Sequence, residues 1–250
     1  MTINDKTVLI TGASRGIGAA TARAFAQLGA RVMLVARSAA DIRKIADEIT
    51  EAGGKAVAKT CDVSDPAQVK AVIDACLATF GTLDILINNA GVLEPIERLN
   101  GSDATAWTKV IDINVNGVYY AMREALPHMK TGGTILTIGS GAATNALEGW
   151  SAYCTSKAAV HHLNACLDAE ERENGIRALV LSPGTVATDM QKTIKNSGVN
   201  PVSQLDWAAH VPPEWVAKTL IWMCTPDADA WLGQVISLRE DTIRKRVGLI

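Results

Sequence analysis

Short β-branched runs alternate with longer stretches of helical period from the first residues to about Val180. Strands are predicted over 7–11, 31–36, 56–60, 83–88, 133–139 and 177–182. Most are too apolar for a strand with one wet face, the pattern of a parallel sheet covered on both sides. Helices are predicted over 16–28, 39–52, 66–80, 102–129 and 151–174. Their ends carry matching punctuation: Gly29, Gly53-Gly54 and Gly81 follow the first three, where a left-handed residue closes a last turn. Ser64 or Asp65 stands before Pro66 as an N-cap ahead of a first-turn proline. Repeated β-α units imply right-handed crossovers in one sheet, and no linker or low-complexity tract divides residues 1–250, so one domain is expected. From Pro183 to Pro213 the period is lost among four prolines, the mark of a functional or mobile segment and a plausible substrate lid. A helix over 213–225 and a short strand around 234–238 complete the sheet, while the tail REDTIRKRVGLI has no assignment.

Composition narrows the function. The 250 residues carry 24 basic and 26 acidic side chains, a net charge of −2, with 48% hydrophobic and 20% charged residues. That is globular composition, and so balanced a charge argues against a nucleic-acid surface. The apolar runs are far too short to cross a bilayer, and the start MTINDKTVLITG lacks the basic and apolar regions of a secretion signal, so a cytoplasmic protein is expected. Five scattered cysteines, with no C-x-x-C and no histidine at ligand spacing, predict free thiols and no metal site.

The chemistry begins with TGASRGIG, Thr11 to Gly18, directly after the first strand and opening the first helix. Gly12, Gly16 and Gly18 allow a tight turn, close approach of backbone amides to a diphosphate, and tight helix–strand packing. No Gly-Lys-Ser/Thr follows, which disfavours a P-loop. NAD-binding folds usually end the second strand with an acid that accepts from the ribose hydroxyls. Here Ala36 takes that place, and Arg37 beside it can grip a 2′-phosphate, with Arg15 approaching from the glycine loop. This predicts NADP(H). Asp62, after the third strand, is a candidate adenine contact, or else a helix-capping carboxylate near Pro66.

With NNAG (Asn88–Gly91), Asn114, Ser140, YCTSK (Tyr153–Lys157) and PGTVATDM (Pro183–Met190) following in order, the chain resembles the short-chain dehydrogenase/reductase family over nearly its whole length. The resemblance implies a doubly wound Rossmann domain, α/β, with a mostly parallel seven-stranded sheet and helices on both faces. It implies hydride transfer between NADP(H) and a carbonyl or alcohol. It places cofactor contacts at Gly12, Ser14, Arg15, Gly16, Ile17, Gly18, Arg37, Asp62, Val63, Asn89, Ala90, Gly91, Tyr153, Lys157, Pro183, Gly184, Val186 and Thr188. Catalysis would fall to Ser140, Tyr153, Lys157 and Asn114, the last ordering a water beside Lys157.

Residue chemistry supports the central pair. Tyr153 and Lys157 are four apart on a predicted helix and so share a face. A phenol titrates near 10, too high for a base at neutral pH, and an adjoining ammonium together with the positive ring of an oxidised nicotinamide is expected to lower it. Tyr153 then serves as general acid in reduction and base in oxidation, while Ser140 donates to the substrate oxygen. His161 and His162 receive a structural or interface reading, and Cys154 points away from Tyr153 around the helix. Candidate pocket walls are Gly141, Ala142, Ala143, Asn145, Leu147, Trp150, Val92, Leu93, Glu94, Met190, Ile194, Leu205 and Trp207, and Leu147 with Trp150 suggests an apolar carbonyl substrate. Near the end, LGQVISLRED lacks the family's usual Gly-Gly, which puts its tetramer in question, while pairing through helices near 102–129 and 151–174 would still give a homodimer. Beside a carbonyl reductase stand two alternatives, a 3-oxoacyl-thioester reductase and a catalytically silent NADP-binding sensor.

Overall fold

The computed structural model describes residues 2–129 and 132–250. Its centre is a seven-stranded sheet in the order β3-β2-β1-β4-β5-β6-β7, with every pairing parallel. The strands are β1 (Thr7–Thr11), β2 (Arg31–Ala36), β3 (Lys55–Thr60), β4 (Ile85–Asn88), β5 (Thr134–Ile138), β6 (Arg177–Ser182) and β7 (Val235–Ser237). The helices are α1 (Gly16–Gln27), α2 (Ala39–Glu51), α3 (Pro66–Phe80), α4 (Ala104–Ile111), α5 (Gly117–Ala125), α6 (Ser151–Glu171), α7 (Asp189–Ser197), α8 (Pro213–Met223) and α9 (Asp241–Val247). The alternation predicts this parallel sheet, and the family resemblance implies its doubly wound Rossmann architecture.

Side chains alternating along each strand explain the two layers. Val8 and Ile10 of β1 join Phe25, Ile42, Leu220 and Ile243 from α1, α2, α8 and α9. Leu9, between them, joins Val72, Ile73, Met122 and Val160 from α3, α5 and α6 on the opposite face. The strand order reverses between β1 and β4, and ligands of open α/β sheets bind in the crevice at such a point, outside the carboxyl ends of the strands.

Three sequence expectations change. The helix expected over 102–129 is interrupted by a π-helical turn, Asp112–Asn116, between α4 and α5, and ends in a 3₁₀ turn, Leu126–His128. The segment 183–213 is more regular than its composition suggests. It contains α7 and two short 3₁₀ turns, and Val186 and Val211 form a parallel bridge tied by Ala187 N–H to Val211 O and Val211 N–H to Thr185 O, both 2.9 Å. The unassigned tail folds as α9, which buries Ile243 and Val247. Among the described residues no helix is long and apolar enough to cross a membrane.

Candidate active site

The glycine loop leaves β1 and enters α1. Gly12 has φ +66°, and a Cβ there would lie 2.8 Å from Ala90 Cα, while one on Gly18 would run into the Gly12 carbonyl oxygen. Both positions therefore require glycine for reasons internal to the protein. α1 starts without a side-chain cap and without an acid in its first turn, so the amides at Gly16, Ile17 and Gly18 face the crevice uncompensated. The loop after β4 is stapled to it. Asn89 Nδ2 donates to the Thr11 and Gly12 carbonyls at 2.9 and 3.0 Å, and Thr11 Oγ1 accepts from Asn89 N–H and Ala90 N–H at 3.0 and 3.1 Å. Thr11, identified only as the start of the motif, thus organises both loops.

Arg37 is exposed at the end of β2, next to buried Ala36. Asp62 does not cap α3. Asp65 does, accepting from Ala67 and Gln68 N–H, whereas Asp62 accepts from Ser64 N–H at 3.0 Å and Ser64 Oγ at 2.7 Å. Burial would raise the Asp62 carboxyl, but the Ser64 hydrogen bonds and the charges of Arg37 and Lys109 outweigh it and hold the carboxyl below its ordinary value. Val63 turns its side chain inward against Gly117, leaving only its backbone for a ligand. Arg15 pairs with Asp189 at the start of α7, 3.7 Å away. Gly16 lies under Thr188, and Gly184, with φ +74°, makes the turn after β6, so the glycine loop and the Pro183–Thr188 segment border one cleft. A glycine-lined turn and open helix amides suit a dinucleotide diphosphate.

β5 and α6 supply the polar centre. Ser140 follows β5, its Oγ accepts from Ala142 N–H at 3.1 Å, and its hydroxyl lies near enough to the Tyr153 phenol to favour the ionised form. Tyr153 and Lys157 share the buried face of α6, with Lys157 Nζ 5.6 Å from the Tyr153 ring centroid. Burial pushes the Tyr153 phenol up to about 12, opposed by the neighbouring Ser140 hydroxyl, so Lys157 by itself does not bring it below its ordinary value. The ammonium hydrogen-bonds the Ile138 carbonyl at 2.8 Å and sits over the ring face. Burial also pushes Lys157 down to about 8.

The π turn aims Asn114 at the same place. Its Oδ1 accepts from Val92 N–H at 2.8 Å, and its Nδ2 donates to Val92 O at 2.8 Å and Ser156 Oγ at 3.0 Å. Such turns often occur at functional sites. A Cβ on Gly91 would lie 3.4 Å from Asn114 Oδ1 and 3.7 Å from Lys157 Nζ, so the NNAG turn, Asn114 and Lys157 meet around one backbone atom. Beside Tyr153, Leu93, Ala142, Trp150 and Ile194 form a buried apolar cluster, with Leu147, Cys154 and Met190 packed against it. Leu205 stands outside that cluster, and Trp207 stacks on His210 at the surface, so neither joins this wall.

The sequence pattern of the family described as short chain dehydrogenase matches residues 6–198. The chain belongs to the short-chain dehydrogenase/reductase family. It is 31% identical to a cyclohexanol dehydrogenase of Acinetobacter sp. (strain SE19), covering 92% of each chain. To a 7alpha-hydroxysteroid dehydrogenase of Escherichia coli (strain K12) it is 30% identical, over 94% of this chain and 93% of that one. A short-chain dehydrogenase of Burkholderia cenocepacia J2315, solved in complex with NADP, superposes with a TM-score of 0.85 at 29% identity, over 95% of this chain and 97% of that one. The protein is an oxidoreductase of this family that uses a nicotinamide cofactor and acts on alcohol or carbonyl substrates.

Proposed function

We propose that the protein is an NADP(H)-dependent carbonyl reductase, or alcohol dehydrogenase in the reverse direction, for apolar secondary alcohols and their ketones. The observation that carries this reading is the grouping of the Ser140 hydroxyl with the buried Tyr153 phenol in an apolar cluster, with Lys157 buried against the same ring.

The nicotinamide, when bound, supplies or accepts the hydride. Gly12, Ser14, Gly16, Ile17 and Gly18 would hold its diphosphate, Asn89, Ala90 and Gly91 the adjoining ribose region, Asp62 and Val63 the adenine end, and Pro183, Gly184, Val186 and Thr188 the nicotinamide end. Arg37 would hold the 2′-phosphate, and the NADP complex of the Burkholderia relative supports that preference. In reduction Tyr153 gives its proton to the oxygen that becomes the alcohol, and in oxidation it takes that proton back. Ser140 holds the same oxygen as negative charge develops there. A phenol held near 12 is a poor base, so oxidation depends on positive charge gathering around Tyr153, which Lys157 and the positive ring of a bound oxidised nicotinamide would supply together. Asn114 fixes Val92 and Ser156, and through them the spacing between the NNAG turn and α6.

Leu93, Leu147, Trp150 and Ile194 favour an apolar substrate, in keeping with the cyclohexanol and hydroxysteroid relatives. Tyr153→Phe tests the reading. Cyclohexanol oxidation followed at the nicotinamide absorbance should fall by about 10²- to 10⁴-fold in kcat, with NADPH affinity retained. Unchanged turnover would remove Tyr153 from the mechanism, whereas wild type that binds NADPH but turns over no alcohol or ketone would favour a protein that only binds nucleotide.

A further inference from the structure

His161 lies one turn beyond Lys157 on α6, so Tyr153, Lys157 and His161 follow one another at four-residue spacing on one helix face. The imidazole reaches across to the end of β5. The last ladder bond there runs from Gly139 N–H to Leu181 O at 2.8 Å. Ser140, one residue further, has left the sheet in extended geometry, φ −164° and ψ 152°, and its N–H donates instead to His161 Nε2 at 3.3 Å. Gly139 makes that contact possible, since a Cβ there would collide with the His161 ring.

Acceptance at Nε2 requires a neutral ring with its proton on Nδ1. Burial and the neighbouring Lys157 charge push His161 down to about 4, which keeps the lone pair available throughout the neutral range. Ser140 is thereby held at two points, its N–H by His161 and its Oγ by Ala142 N–H, beside the Tyr153 phenol.

We propose that His161 is a positioning residue of this site, whose imidazole fixes the Ser140 backbone so that Ser140 Oγ meets the Tyr153 hydroxyl and the substrate oxygen. This rests on the catalytic reading of Ser140 given above. A small displacement of a hydrogen-bonding group in an active site costs rate more than binding, because its interaction matures only in the transition state.

The test compares His161→Leu, which removes the acceptor, with His161→Gln, which restores an acceptor of similar reach. With cyclohexanol and NADP⁺, His161→Leu should lower kcat by about 10- to 100-fold while KM and NADP⁺ affinity change less than about threefold, and His161→Gln should recover most of the lost kcat. A wild-type kcat in His161→Leu overturns the proposal, as does a loss that His161→Gln fails to recover. Long-range ¹H–¹⁵N spectra of the wild-type protein supply a reading independent of turnover or variant folding. They should show unprotonated Nε2 on His161, and a proton there overturns the assignment. Wild type that fails to oxidise cyclohexanol would count against the apolar-alcohol reading, while the nitrogen spectra would still decide the role of His161.

Discussion

Around β1 and β4 the crevice is walled by backbone, whereas around β5 and α6 it is walled by buried titratable side chains. In the first region Gly12, Gly18 and Gly91 keep side chains out, and Asn89 and Thr11 tie main chain to main chain. In the second, a phenol and an ammonium are both buried, and burial shifts each toward its neutral form. The contrast separates two kinds of requirement. A surface that lies along a diphosphate needs room and uncompensated N–H groups. A centre that moves a proton needs groups whose charge is sensitive to what stands beside them. The first should therefore fail by steric damage to the fold, and the second by titration.

The steric side breaks most clearly at Gly12. Gly12→Ala combines left-handed backbone with a Cβ pressed on Ala90, and it should destabilise by about 3 kcal/mol. Gly53 has a similar φ, +85°, with open space around it, so Gly53→Ala should cost only about 1 kcal/mol. Urea unfolding of the two variants measures the difference. Equal losses would mean that backbone conformation alone, and not the approach of the β4 loop, demands glycine at residue 12.

On the titrating side, Lys157 falls from an ordinary 10.5 to about 8 in the folded protein. Between those values the unfolded chain still binds a proton that the folded chain has released, so the free energy of unfolding rises with pH. The contribution is at most about 3 kcal/mol. Buried Cys61, Cys76 and Cys224, raised to about 11, 12 and 12, act in the opposite sense above pH 9. They are common to wild type and Lys157→Met, so the difference between the two stability curves isolates the lysine. Wild type should gain on the variant from pH 8 to 10.5, and parallel curves would show that the ammonium is not desolvated as its burial implies.

The same division explains what could be read in the chain alone. β1, β2, α3 and β6 were legible to the residue, because apolar runs and a Pro-led cap leave little alternative. α7 was not, since a mostly polar helix that buries only Gln191 and Ile194 has no stripe to detect. The π turn at Asn114 was hidden for another reason, as one extra residue per turn leaves no trace in local propensity. Gly12, Tyr153 and Lys157 were visible as motif positions. The direction of the Tyr153 shift was not, because it follows from how deeply the fold buries the phenol. His161 shares the four-residue spacing of Tyr153 and Lys157, but that spacing says nothing of its reach to the Ser140 backbone, and only the missing side chain at Gly139 hints that something fills the gap.

The smallest expected effect sharpens the boundary between the two regions. Of the two arginines expected at a 2′-phosphate, Arg15 already faces Asp189, with both side chains more than half exposed, 77% and 52%. An exposed pair of that kind is worth well under about 1 kcal/mol, yet it gives Arg15 a competing anion. Asp189 is also engaged by Lys192 at 2.8 Å. Arg37 has no carboxylate within salt-bridge distance among the described residues, and its nearest charge relation is the longer-range one with Asp62. Arg37 should therefore carry most of the discrimination. Arg37→Ala should weaken NADPH about 10- to 50-fold and NADH less than about twofold, by fluorescence titration, the loss expected for one charge-assisted contact. Arg15→Ala should cost NADPH only a few-fold, because its charge is already shared with the start of α7. A larger loss at Arg15 than at Arg37 would mean that the glycine loop does more than shape the cradle and supplies the charge that selects the cofactor.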